Sequence, residues 1–401
     1  MKWMHRVGNL FLLNGVCIME KNKKKNNKKT IFALVIYFVI CVCTGVLCGI
    51  FLSDSIDKIF DTFNNPLTVT LSIVYIFLAI FFTLYFQIIV HEGGHLIFGL
   101  LTGYKFSSFR IGNWMIIKQN GKLRFCKYKL AGTGGQCLLK PPAFKDGKIP
   151  FKLYNLGGGL MNFLFAGIFA IIFVLFPNNI YLSAFNILMI IYGVVIGASN
   201  LIPLSIGGVD NDGKNIISMG KNKKSLYSFW LQMKINEYLS DNVRIKDIPE
   251  ELFKKPNEED LENPMITSLG VFACNRLMDM HNFDEAYTYM EYLMENSENG
   301  LLGIYKNLLT IDCIYCELIG DNNADKINNL YTKQIKMFEK QMKNYPSVLR
   351  TQYAYALLFE KDINKANAVK DTFNKVAKNY PYLADIEGEK ELMALAESKM
   401  A

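Results

Sequence analysis

The chain has 401 residues, 51 % of them hydrophobic and 20 % charged, with a formal net charge of +8. The length holds two domains, and the mixture excludes a purely soluble chain: long apolar runs fill positions 31 to 209, while most acids fall within 214 to 401. The positive charge gathers beside the apolar runs, so it reads as a membrane-topology signal and not as a nucleic-acid footprint.

In chain order, the first apolar stretch, Leu10 to Leu13, is too short for a signal peptide, and Met19 is an alternative start to Met1. A dense basic run, Lys21 to Lys29, then precedes a first span from Ile31 to about Ser53, which keeps this end in the cytoplasm. The next loop, with Asp54, Asp57 and Asp61, belongs outside. A second span begins at Leu67, stays uncharged to Val90 and ends in His91-Glu92-Gly93-Gly94-His95. On a helix, His91 and His95 lie one turn apart on one face and can ligate a single metal, with Glu92 beside them as a general base. A carboxylate in an apolar segment is costly, which marks it as functional.

The loop from Tyr104 to Lys152 has eleven Lys or Arg residues and one acid, Asp146, a cytoplasmic signature. Inside it, Trp114 to Gln119 and Lys122 to Lys127 flank Asn120-Gly121, the signal of a β-hairpin whose edge can hold an extended peptide. Gly132 to Gly135 follow as flexible chain that can gate access. From Leu153 to Val209 no residue is charged; the interruption Phe176-Pro177-Asn178-Asn179 divides this stretch into two spans, about Tyr154 to Phe176 and Ile180 to Pro203. Four spans result, with both termini inside.

A catalytic zinc takes three protein ligands. Of the four histidines only His5 and His281 lie outside the motif, both far from any span, and the acids that return to the same membrane side are Asp210 and Asp212. The chain here resembles the site-2 protease family of intramembrane zinc metalloproteases, on His91-Glu92-x-x-His95, Asn200-Leu-Ile-Pro203 and Asp212-Gly213. The resemblance covers about residues 67 to 217. It implies zinc on His91, His95 and Asp212, with Asp210 as the alternative because Pro203 and Asp212 are farther apart than is usual in the family. It also implies a membrane-associated β element, and Asn162 and Asn200 near the metal as partners of the substrate backbone or the oxyanion. Glu92 would then accept a proton from water and return it to the leaving amine of a cleaved membrane-embedded or membrane-associated peptide.

The second half is read as soluble and helical. Leu226, Phe229, Trp230 and Met233 recur at helical spacing after a basic linker. Lys343-Asn-Tyr-Pro346 recurs at Lys378 to Pro381, and Phe283-Asp-Glu-Ala286 matches Ile363-Asn-Lys-Ala366 in pattern, which resembles tetratricopeptide-like repeats that bind a protein partner. Nine cysteines, an odd number, make no disulfide framework, and Cys313-Ile-Tyr-Cys316 reads as a structural pair of thiols.

The expected chain is thus mainly α: a basic N-terminus (1–30), a membrane metalloprotease core with a small β-hairpin (31–217), a linker with an amphipathic helix (218–262) and a cytoplasmic helical-repeat-like domain (263–401). Dense Lys, Asn and Ile usage points to a bacterial cell membrane. The alternative is a non-enzymatic membrane scaffold or transporter recruiting partners through the helical domain, which would not need Glu92.

Overall fold

The structure is a computed structural model that describes residues 34–46, 49–50, 53, 65–128, 134–176, 179–206, 209–297 and 299–400. The basic N-terminus, both candidate start residues, the acidic loop and the first half of the Gly132–Gly135 stretch therefore lie outside the described residues. Of the expected first span, Leu34–Val46 is an apolar helix, α1.

The chain is mainly helical with a small antiparallel sheet. Among the described residues, three helices are long and apolar enough to cross a membrane: α2 (Pro66–Leu101), α3 (Phe151–Leu175) and α4 (Ile180–Leu201). Asn65 caps α2 through Leu67 N with Pro66 in the first turn, and Asn179 caps α4 through Leu182 N. At 36 residues, α2 runs about 54 Å, well beyond a ~30 Å hydrocarbon core, and its motif lies toward the C-terminal end. Its buried stripe is small and polar, with Ser72, Thr83, Gln87, His91 and His95, while Phe77, Phe81 and Phe82 stay exposed. Glycines let the helices meet backbone to backbone: a Cβ on Gly94 would lie 2.2 Å from Gly157 O.

The hairpin forms over the expected residues: β2 (Trp114–Gln119) pairs with β3 (Lys122–Lys127), Gln119 opposite Lys122. Asn120 and Gly121 both have positive φ, 48° and 80°, as a type I′ turn requires. The sheet is larger than a hairpin. β1 (Lys105–Ile111) and β4 (Gly135–Lys140) complete the order β3-β2-β1-β4. β4 escaped the sequence because all but its last residue are buried, which removes the two-residue alternation. It runs along the end of α2, with Leu139 against Gly99 and Gly135 against Glu92.

After α4, a two-residue ladder of β5 (Ser205–Ile206) and β6 (Val209–Asp210) leads into α5 (Asp212–Lys221) and α6 (Lys223–Ser240). α6 carries the expected apolar series: Leu226, Phe229 and Met233 are buried, with Trp230 partly so.

The remaining helices are α7 (Pro264–Asp279), α8 (Phe283–Asn296), α9 (Gly303–Ile319), α10 (Ala324–Leu330), α11 (Lys333–Gln341), α12 (Pro346–Ala354), α13 (Ile363–Ala377) and α14 (Leu383–Ser398). The pairs α7–α8, α9–α10 and α12–α13 turn alike, each through one left-handed residue, His281, Asn322 or Lys361, immediately before the next helix's N-cap. Ala286 and Ala366 sit at matching buried positions, the fourth residues of α8 and α13. Their core is apolar, with Ile311, Cys313, Ile314 and Tyr315 fully buried, and both thiols are free. It extends into the sheet: Met115 and Ile117 of β2 belong to the same cluster, and Gln119 donates to Pro381 O at 2.7 Å.

Candidate metal site

Two turns of α2 carry the motif, and α3 and the start of α5 close over it. His91, Glu92, His95 and Asp212 are all buried. The Nε2 atoms of His91 and His95 are 3.2 Å apart, and Asp212 Oδ2 lies 3.6 Å from the first and 3.3 Å from the second. These three form a group able to hold a metal ion.

Hydrogen bonding at the far side of each ring sets the tautomers. The Tyr154 carbonyl can only accept, so His95 Nδ1 donates to it at 2.8 Å. Asn162 Nδ2 donates to Gln87 O at 2.9 Å and to Gln87 Oε1 at 2.7 Å. Its Oδ1 therefore accepts from His91 Nδ1 at 2.8 Å. Gln87 is held in turn through its Nε2 to Met189 O at 3.0 Å. In the neutral rings both Nε2 lone pairs then face Asp212 Oδ2, which has no hydrogen-bond partner. Three electron-rich atoms in mutual contact call for a cation.

Asp212 reaches the histidines because of its neighbours. Asn211 caps α5 by accepting from Lys214 N at 2.9 Å, accepts from Leu204 N at 3.1 Å, and donates to Ser199 O and Ile202 O at 2.7 and 2.6 Å. This staples the start of α5 to the end of α4. Gly213 permits the approach: a Cβ there would lie 2.1 Å from Leu201 O. It acts as a contact residue within the helix and not as a turn. Asp210 is occupied elsewhere, accepting from Ser205 Oγ and, at 3.3 Å, from Ser218 Oγ. Gly158 of α3 opens the space around the ligands, since a Cβ there would stand 2.5 Å from His91 Cε1 and 2.6 Å from His95 Nε2.

Of the two candidate asparagines, Asn162 stands at the site as expected, but its amide is committed to His91 and Gln87 and is not free for a substrate. Asn200 donates to Ile196 O at 2.8 Å, one turn back in its own helix, and to Ser199 Oγ; none of its hydrogen bonds reaches the cluster. Glu92 lies under β4, and its Oε2 is buried without a partner. Sequence reasoning missed Gln87, Asn211 and the Tyr154 carbonyl. Gln87 alone left a signal, an amide one turn before His91 in an otherwise apolar run. Against models of protein families, curated proteins and solved structures, the chain finds no match.

Proposed function

We propose that the protein is a zinc-dependent intramembrane protease of the site-2 type, which cuts membrane-embedded or membrane-associated peptides in a bacterial cell membrane. The observation that carries this reading is the convergence of His91 Nε2, His95 Nε2 and Asp212 Oδ2 beside the unpaired carboxylate of Glu92. Their separations of 3.2–3.6 Å suit the edges of a ligand tetrahedron, roughly 3.3 Å for bonds near 2.0 Å to zinc. Zinc held there would act as a Lewis acid on the peptide carbonyl and lower the pKa of a water molecule.

Within this reading, the Nδ1 hydrogen bonds keep both Nε2 atoms unprotonated, and Asp212 balances part of the cation's charge. Glu92 takes the proton of the attacking water at Oε2 and later returns it to the departing amine. Gly135 leaves room for this side chain: a Cβ there would meet Glu92 Cγ at 2.5 Å. β4, at an end of the sheet order and next to Glu92, is the strand placed to hold an extended substrate. In the same proposal the chain spans the membrane four times with both termini in the cytoplasm, and the helical hairpins serve as tetratricopeptide-like partner-binding repeats.

The test is metal analysis and cleavage by the detergent-purified protein beside His91→Ala. About one zinc per chain, lost in the variant together with cleavage of a membrane-segment peptide, is expected. Equal zinc in both would remove the basis of the reading.

A further inference from the structure

We propose that the helical half carries a binding site for a primary ammonium group, in a cavity between α6, α7, α9, α12 and α14. The cavity measures 140 Å³, below the ~300–1,000 Å³ of drug-sized ligand sites, so it takes one head group and not a nucleotide. Four carboxylates line it, Asp279, Asp312, Asp385 and Glu389, against one guanidinium, Arg350. Counting also Arg244, which holds Asp279 at 2.5 Å, the carboxyl groups outnumber the guanidiniums by two; burial holds Glu389 up to about 7, so a bound cation displaces its proton.

Arg350 cannot make up the difference. Its Nη2 donates to Asp312 Oδ1 at 2.5 Å, its Nε to Glu389 Oε2 at 3.0 Å and its Nη1 to Thr351 Oγ1 at 3.0 Å. Its Cζ lies 4.2 Å from the Tyr315 ring centroid. These contacts pin the guanidinium in the wall, where it leaves each of the two carboxylates further lone pairs.

A second, independent feature asks for a donor. Asn236 on α6 lines the same cavity at 5 % exposure. Its Nδ2 is spent on Gln232 O at 2.7 Å, while its Oδ1 is buried without any hydrogen-bond partner. A buried unsatisfied acceptor is costly, and a bound N–H would recover that cost. Acceptors thus come from α6 (Asn236), α9 (Asp312) and α14 (Glu389), and an ammonium offers three donors on a compact charge. Half-buried Ser347 and Asp385 give access from outside.

The ammonium can come from a lysine side chain of a partner protein or from a free polyamine, and the probes distinguish these. The full chain in detergent micelles is titrated with acetyl-Gly-Lys-Gly-amide, its Gln counterpart and putrescine, followed by ligand-observed NMR. The Lys peptide or putrescine should bind at least about tenfold more tightly than the Gln peptide, one charge-assisted hydrogen bond's worth. The tighter of the two names the source. Glu389→Gln should weaken that binding about tenfold, and Asp385→Asn, at a half-buried position, supplies the same test should the first variant fail to fold. Equal binding of Lys and Gln peptides with no putrescine binding, or binding unchanged in whichever variant folds, would overturn the site.

Discussion

Helices α2 and α9 are built on opposite plans. On α2 the buried face is polar or small and the exposed face apolar: Gln87 and Thr83 are fully buried, while Phe81 is 56 % exposed. On α9 Ile311, Cys313, Ile314 and Tyr315 are fully buried. The bilayer location proposed for α2 would explain the inversion. In water, burying apolar surface drives packing at about 25 cal/mol per Å². Between helices in lipid that drive is absent, so contacts rest on glycine-permitted approach and on polar side chains that satisfy one another. The metal-site candidates grow out of the second plan, because the polar stripe of α2 is also the stripe that carries His91 and His95.

The contrast breaks first at Glu92. If its burial in the polar stripe serves chemistry, Glu92→Gln keeps its zinc and loses cleavage by about 100- to 10,000-fold, read as single-turnover rate on a membrane-segment peptide. Near-normal turnover would make the carboxylate structural.

Next comes a pair of apolar truncations. Ile314→Ala should destabilise the helical half by about 2–5 kcal/mol in a denaturant melt. Phe81→Ala, on the face offered to lipid, should leave the melt of the detergent-solubilised protein within about 0.5 kcal/mol of the parent. Similar losses in both would mean that α2 packs like a soluble helix.

A third measurement sharpens the polar side. Gln87→Leu is nearly isosteric and would be benign in the core around α9. It removes the side-chain acceptor of Asn162 and leaves that amide only the backbone carbonyl of residue 87, so the hold on His91 loosens and metal affinity should fall about tenfold in a competition titration with a chelator. Unchanged affinity would reduce the Gln87–Asn162–His91 chain to helix packing.

The last effect lies in the helical half, where the plan is locally reversed by the buried Arg350 cluster. Burial pushes the Glu389 carboxyl up to about 7, against the pull of Arg350. Burial likewise raises Asp312. The folded chain then holds a proton that the unfolded chain releases near 4.5, so this contribution is complete at lower pH and is lost as pH rises from about 4.5 to about 7. Glu391 and Glu397, lowered by Arg244 and Lys370, act in the other direction and below that window. The helical half should therefore lose roughly 2 kcal/mol between pH 5 and 7.5, and Glu389→Gln should flatten the slope. A parent as stable at pH 7.5 as at pH 5 would contradict the assignment.

Features decided within a few residues were legible in the sequence. The α2 motif spacing, the Asn120-Gly121 turn between β2 and β3, the break between α3 and α4 and the helical series Leu226, Phe229, Met233 all follow from periodicity and turn chemistry, which act locally. Other features required elements distant in sequence to meet. β1 and β4 complete the sheet only because α2 and the helical half cover its faces, and a strand buried on both sides has no alternation to read. Asp212 reaches the histidines and Asp210 does not because Asn211 and Gly213 lock α5 onto Leu201, which turns one carboxylate inward and leaves the other to Ser205 and Ser218. Asn162 holds a histidine because Gly94 and Gly157 bring α2 and α3 into backbone contact. The sequence by itself thus determined which groups are present and on which elements; the tertiary structure decided which atoms face one another, since that depends on helix crossings set by the absence of a few β-carbons.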